Sequence, residues 1–152
     1  MDRTAFKKLL LEHCFTHVDK KENQLRTRQK VLREALMDET KSTAGDKHET
    51  GRAMVQLEQE KLGAQQLELK LVKETLQKVV LEKPRERVSL GSLVKTKDHY
   101  YFLAISAGVF EQGATQVFCI SAASPIGQHM MGKKRGERFV FRKSTIHILE
   151  IE

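Results

Sequence analysis

Two long runs joined by a short stretch of small residues decide what the first half of this chain can fold into. Residues 4 to 39 contain no Pro and no Gly. Leu11, Phe15, Val18, Leu25, Leu32 and Leu36 follow one another in steps of four, three and seven, the spacing of a coiled-coil seam. Glu22 and Gln29 occupy seam positions and interrupt it, so the stripe is not a strong zipper. A second pattern runs from about Asp46 to Leu81, with Val55, Leu62, Leu69 and Leu76 every seven residues and Gln65, Val72 and Val79 between them. Ser42, Thr43, Ala44 and Gly45 read as the turn. Helices of similar length across a short turn pack antiparallel. At ~1.5 Å per residue, about 35 residues make an arm of roughly 50 Å.

Pro84, in the charged stretch Glu82-Lys-Pro-Arg-Glu-Arg87, ends the second helix and places a boundary between 1–83 and 84–152. Beyond it the pattern changes. Val88-Ser-Leu-Gly-Ser-Leu-Val-Lys-Thr96 is strand-like with a bend at Gly91, and Tyr100-Tyr-Phe-Leu-Ala-Ile105 is an aromatic and aliphatic run. Gly108 and Gly113 flank an expected turn, and Thr115-Gln-Val-Phe-Cys-Ile-Ser121 is a further strand. Ser124 and Pro125 are N-cap and first residue of a short helix that runs through Met131 and stops at Gly132. Last strands are expected at 138–141 and 146–151. The fold class is α+β: a long N-terminal antiparallel coiled-coil hairpin, then a small antiparallel sheet domain with one helix.

A net charge of +7 points to a polyanion or an acidic protein groove as partner. Cys14 and Cys119 are the only cysteines, so a four-cysteine zinc site is excluded, and two isolated thiols fit a reducing compartment, with a single disulfide as the open alternative. His13, His17, His48, His99, His129 and His147 show no metal spacing with them, although His13 and His17 stand four apart. No signal-type or membrane-length apolar run is present, so the expected location is the cytoplasm, with no membrane partner. A monomer is expected.

Two separated motifs resemble one family. The run Ser124-Pro-Ile-Gly127-Gln-His-Met-Met-Gly132-Lys-Lys-Arg-Gly136-Glu-Arg-Phe139 is similar to the C-terminal signature of the GreA/GreB transcription elongation factors, and Val88-Ser-Leu-Gly-Ser-Leu-Val to the first strand of that domain. Gly45-Asp46-Lys-His-Glu49 resembles the family's acidic tip. The resemblance implies an FKBP-like C-terminal fold that docks on RNA polymerase through a region including Ser124, Pro125, Gly127, Lys133 and Lys134. It implies that the coiled coil enters the secondary channel and that the carboxylates of a tip near 38–51 help polymerase cleave backtracked RNA. The family tip continues with Asn and then Tyr, where Thr50 and Ala53 stand here. That difference keeps a second reading open: a regulator of the same shape that enters the channel without stimulating cleavage.

On the cleavage reading the protein is an accessory factor, not an enzyme, and Asp46 and Glu49 are the catalytic contribution. No cofactor is stably bound. The two carboxylates, three residues apart on one helical face, share a Mg2+ whose other ligands belong to polymerase. The competing structural role is a capping box, in which Asp46 caps the second helix and Glu49 closes back on it. Asp38 and Glu39 add acid before the turn, and the basic residues from Lys20 to Arg33 could follow a displaced RNA 3' end or acidic channel walls. Met130 and Met131 are read as core or docking residues and Tyr101, Leu103 and Ile105 as core, with the exposed side of the sheet as the docking face. A prolyl isomerase, suggested by an FKBP-like fold, lacks support in a chain with no Trp and only Tyr100 and Tyr101. A coiled-coil scaffold unrelated to polymerase is the remaining alternative.

Overall fold

The computed structural model describes the backbone of residues 2–41 and 45–152, and the side chains of these residues except 39–49. Helix α1 (Arg3–Lys41) and helix α2 (Gly45–Gln77) occupy the first half. Strands β1 (Leu93–Lys95), β2 (Tyr100–Ala104), β3 (Gly108–Gln112) and β4 (Thr115–Ser121) follow. Helix α3 (Pro125–Met130), the pair β5 (Arg138–Phe141) and β6 (Ser144–His147), and the short β7 (Glu150–Ile151) complete the chain. The expected turn at Ser42, Thr43 and Ala44 lies outside the described residues.

The chain forms two compact units: Met1–His17 with Glu74–Glu152, and Val18–Lys73. The boundary drawn at 83/84 follows chain order, whereas the first turns of α1 and the last turn of α2 belong to the sheet-bearing unit.

In the helical unit α1 and α2 run antiparallel. Arg28 Nη1 donates to Gln65 Oε1 at 3.1 Å, and Lys73 Nζ donates to Glu22 Oε2 at 3.2 Å. Leu62 is buried, while Leu25, Leu32, Val55 and Leu69 are half-buried, as a two-helix seam allows. The polar seam positions are therefore used: Glu22 takes a cation from each helix, Lys73 and Arg26.

The sheet-bearing unit holds a five-stranded sheet of order β3-β4-β2-β1-β7 and a separate β5–β6 pair. One pairing departs from the expected antiparallel sheet: β2 and β4 are parallel, Phe102 opposite Cys119 and Leu103 opposite Ile120. The reason is β3, which lies where the flanking glycines predict a turn. Gly108, at φ +67°, starts this strand, and Gly113, at φ +60°, makes the turn after it, so β4 returns alongside β2. The strand expected over 88–96 is shortened to β1, after a bend at Gly91 with φ +92°. The last expected strand is split between β6 and β7, because Ile148 turns inward to the core.

Both faces of the sheet are covered, which explains why β2 is an unbroken apolar run rather than an alternating one. On one face Tyr101, Leu103, Val94, Val88, Met130, Phe139 and Ile148 form the core. The other face, expected to be a docking surface, is occupied instead by α1. Phe6 meets Phe110 edge to face at 6.0 Å, and Leu10 and Cys14 are fully buried. The seam expected to begin at Leu11 and Phe15 is displaced accordingly. Leu10, Cys14 and Val18, spaced by four, are the buried stripe, and Leu11 and Phe15 are half-buried.

Candidate functional site

The C-terminal motif is built around α3. Ser124 has extended dihedrals, and its Oγ accepts from the Gly127 N–H at 3.1 Å while donating to the Ser121 carbonyl at 2.6 Å. Pro125 takes the first helical position, where no N–H is required. Gly127 has a steric reason: a Cβ there would lie 2.0 Å from the Ser121 carbonyl oxygen. Met130 points into the core and Gly132, at φ +80°, makes the turn out of the helix.

The turn is then tied to the segment before β1. Gly132 N–H donates to the Val88 carbonyl at 2.9 Å, Val88 N–H donates to the Lys133 carbonyl at 2.9 Å, and Arg87 Nη1 donates to the Gly132 carbonyl at 2.9 Å. Lys134 N–H donates to Glu137 Oε1 at 3.3 Å. Thus Ser124, Pro125, Gly127, Lys133 and Lys134 are brought onto one helix and its following turn. Pro125 and Lys134 are exposed, Ser124 and Lys133 half-buried, and Gly127 buried. Gly127 shapes this surface from within.

Beside the turn the side chains are basic and aromatic. Lys134, Arg135, Arg138, Arg142 and Lys143 are exposed, with Glu137 as the interspersed acid. The His129 ring stacks on Phe139 at 5.7 Å with an interplanar angle of 3°, and Phe141 meets it edge to face at 5.9 Å. The Arg142 guanidinium lies 5.1 Å from the centroid of the Phe141 ring. Arg142 and Lys143 carry positive φ, as a tight two-residue hairpin connection requires. This rim suits an acidic partner surface.

Asp46 and Glu49 fall within α2, but their side chains, like that of Glu39, lie outside the described residues, as does His48. The Mg2+ expected at Asp46 and Glu49 is therefore not traced to any geometry. Among the described residues no group of three or more His, Cys, Asp or Glu side chains could hold a metal ion. Asp38 is exposed. In the helical unit a cleft of about 300 Å³ is lined by Arg28, Leu32, Leu62 and Gln65 among others. No described helix is long and apolar enough to cross a membrane.

Three residues of α1, Lys7, His13 and Cys14, are central to the sheet-bearing unit. The Lys7 Nζ donates to the Leu81 carbonyl at 3.4 Å, and burial, reinforced by the neighbouring Arg85 charge, lowers its pKa from 10.5 to about 8. His13 Nε2 lies 2.8 Å from the Ala107 carbonyl oxygen, a distance at which the ring donates. The Cys14 and Cys119 thiols are hydrogen-bonded to each other, which lowers the pKa of Cys14 and, with burial, pushes that of Cys119 well up. The four-residue spacing of Leu10 and Cys14 is the sequence signal for this buried face.

No protein-family profile matches the chain, and no curated protein matches it. Solved structures do. The crystal structure of GreA factor homolog 1 (Gfh1) of Thermus thermophilus matches with 19% identity and a TM-score of 0.35, over 93% of this chain and 94% of that one. A structure described as the transcription factor Gfh1 matches with 19% identity and a TM-score of 0.35, over 93% and 92%. Thermus aquaticus Gfh1 matches with 21% identity and a TM-score of 0.33, over 92% of each chain. The expectation that the tip carboxylates help polymerase cleave backtracked RNA is corrected here. These matches are to a GreA factor homolog, and Thr50 and Ala53 depart from the tip of the cleavage factors.

Proposed function

We propose that this protein is a cytoplasmic regulator of RNA polymerase with the shape of a GreA/GreB factor, one that enters the secondary channel without stimulating RNA cleavage. The observation that carries the reading is the 124–136 motif. Its Ser, Pro and Gly residues each have a defined structural task in α3 and its turn, in a chain that also carries a long antiparallel helix pair. The exposed basic rim from Lys134 to Lys143 supports docking on an acidic polymerase surface. The helix pair is the part that would occupy the channel, and its basic stretch from Lys20 to Arg33 suits acidic walls or a displaced RNA 3' end.

Thr50 and Ala53 support the absence of cleavage stimulation, because a carboxylate pair serves a metal site only when its neighbours hold it in the productive geometry. Asp46 and Glu49 would then approach the Mg2+ of polymerase without promoting hydrolysis. The test is a stalled, backtracked elongation complex from the cognate organism. The protein should bind it, leave intrinsic RNA cleavage unchanged or slower, and compete with a cleavage-stimulating factor. Acceleration of cleavage by the protein alone would overturn the reading.

A further inference from the structure

We infer that Cys14 and Cys119 are a disulfide-forming pair, able to staple α1 covalently to β4 when a peroxide oxidant reaches the protein. These are the only cysteines of the chain, far apart in sequence, and the fold buries both in the interior of one compact unit. The surrounding geometry fixes the encounter. His13, the preceding residue, is bonded to the Ala107 carbonyl, and the Ala107 N–H donates to the Cys119 carbonyl at 3.2 Å. Phe6, two turns earlier on α1, packs on Phe110, which pairs with Val117 on β4. The helix turn carrying Cys14 is thus held against the strand position carrying Cys119, and Leu10, one turn earlier, is buried as well.

The two sulfurs are chemically unequal. The Cys119 S–H donates to Cys14, and a backbone N–H from Ile105 adds a second donor there, so Cys14 has the greater thiolate character. The Cys14 thiolate attacks one oxygen of hydrogen peroxide, the O–O bond breaks, and hydroxide leaves to become water, giving a sulfenic acid. The Cys119 sulfur then attacks the Cys14 sulfur, its proton goes to the departing oxygen, and a second water leaves as the S–S bond forms. One peroxide is reduced and two thiols are oxidised. Burial makes the thiols slow to react with bulky reagents and leaves the neighbouring thiol as the partner within reach.

The experiment uses the full chain. After hydrogen peroxide treatment and quenching, the denatured protein should fail to take up maleimide at either cysteine. It should show the mass loss of two hydrogens, and tryptic digestion should give a crosslinked peptide of 9–20 with 98–133. Dithiothreitol should restore both thiols. The oxidised monomer should melt higher than the reduced one, since the bridge closes a long loop. Cys119→Ser should instead yield a Cys14 sulfenic acid that dimedone traps, with no crosslink. Continued alkylation of both cysteines in oxidised wild type, disulfides only between two chains, or separate overoxidation without a crosslink would each overturn the inference.

Discussion

His13 Nε2 and the Ala107 carbonyl oxygen, 94 positions apart in the chain, lie 2.8 Å from one another and fasten the first helix to the loop before β3. With Phe6 on Phe110 and the buried Leu10 and Cys14, this makes α1 a layer of the sheet-bearing unit. A fragment comprising 84–152 alone should therefore expose the apolar face carrying Phe102, Val117 and Cys119. It should melt broadly and bind a hydrophobic dye, whereas the full chain should not. In the full chain Leu10→Ala should cost about 3 kcal/mol, the usual range for a buried Leu. A sharp, native-like melt from the isolated fragment would show that α1 is dispensable there.

The glycines around α3 make separable predictions. Gly127→Ala forces a Cβ to 2.0 Å from a backbone carbonyl, which only a shift of α3 can relieve. A loss of about 3 kcal/mol is expected. Gly132→Ala meets no atom within 4 Å and bears only the positive φ, so about 1 kcal/mol is expected. Chemical denaturation of the full-length variants checks the order. Equal losses at both positions would contradict the close approach of Gly127 to Ser121.

Much of this fold was legible because local chemistry and tertiary role agree. Ser124 and Pro125 announce a helix start, and the structure uses both as cap and first residue. Tyr100, Thr115 and Arg138 open strands where the pattern places them. What escaped depends on contacts distant in sequence. Gly108 opens β3 only because β4 pairs with it, and the single-sequence signal of two flanking glycines reads equally well as a turn. A heptad stripe starting at Leu11 requires a single helical partner along the whole of α1. The first turns of α1 pack on a sheet, and Leu10 and Cys14 answer to that surface. The motif residues were visible as a resemblance, whereas their hydrogen bonds to Val88 and Arg87 were not, since no spacing encodes them.

Lys7 gives the sheet-bearing unit a measurable alkaline signature. Its folded pKa of about 8 lies below the unfolded value of 10.5, because the buried ammonium is poorly solvated and faces Arg85. Between these values the unfolded chain binds more protons than the folded one, so stability contributed by this group rises with pH. The window is pH 8 to 10, since above 10 the raised pKa of Tyr101 acts in the opposite sense. The difference in unfolding free energy between Lys7→Met and wild type should favour the variant at pH 7 and shrink toward pH 10. The gain for wild type is about 2 to 3 kcal/mol at most, at ~1.4 kcal/mol per pKa unit. A pH-independent difference would mean that Lys7 does not titrate in this window.

In the helical unit the charge at a seam position should matter through its partner. Glu22 accepts from Lys73 at 3.2 Å and Arg26 at 2.7 Å, and the Lys73 hydrogen bond is the main reason its carboxyl pKa is lowered. The Lys73 side chain is 42% exposed and that of Glu22 29%, so solvent screens the pair, and a weak coupling is expected rather than that of a buried bridge. A double-mutant cycle with Glu22→Gln and Lys73→Met should give that coupling at low salt and lose most of it at 1 M salt, where the screening length is about 3 Å. Since the depressed carboxyl pKa stabilises the fold above its unfolded value, the coupling should also fade as pH drops through the carboxylate range. Glu22→Leu should separate specificity from stability: it fills the seam and removes the anion, so the unit should hold or gain stability while the salt dependence disappears. A strong loss on Glu22→Leu would show that the carboxylate itself, not the packing around it, holds the two helices in register.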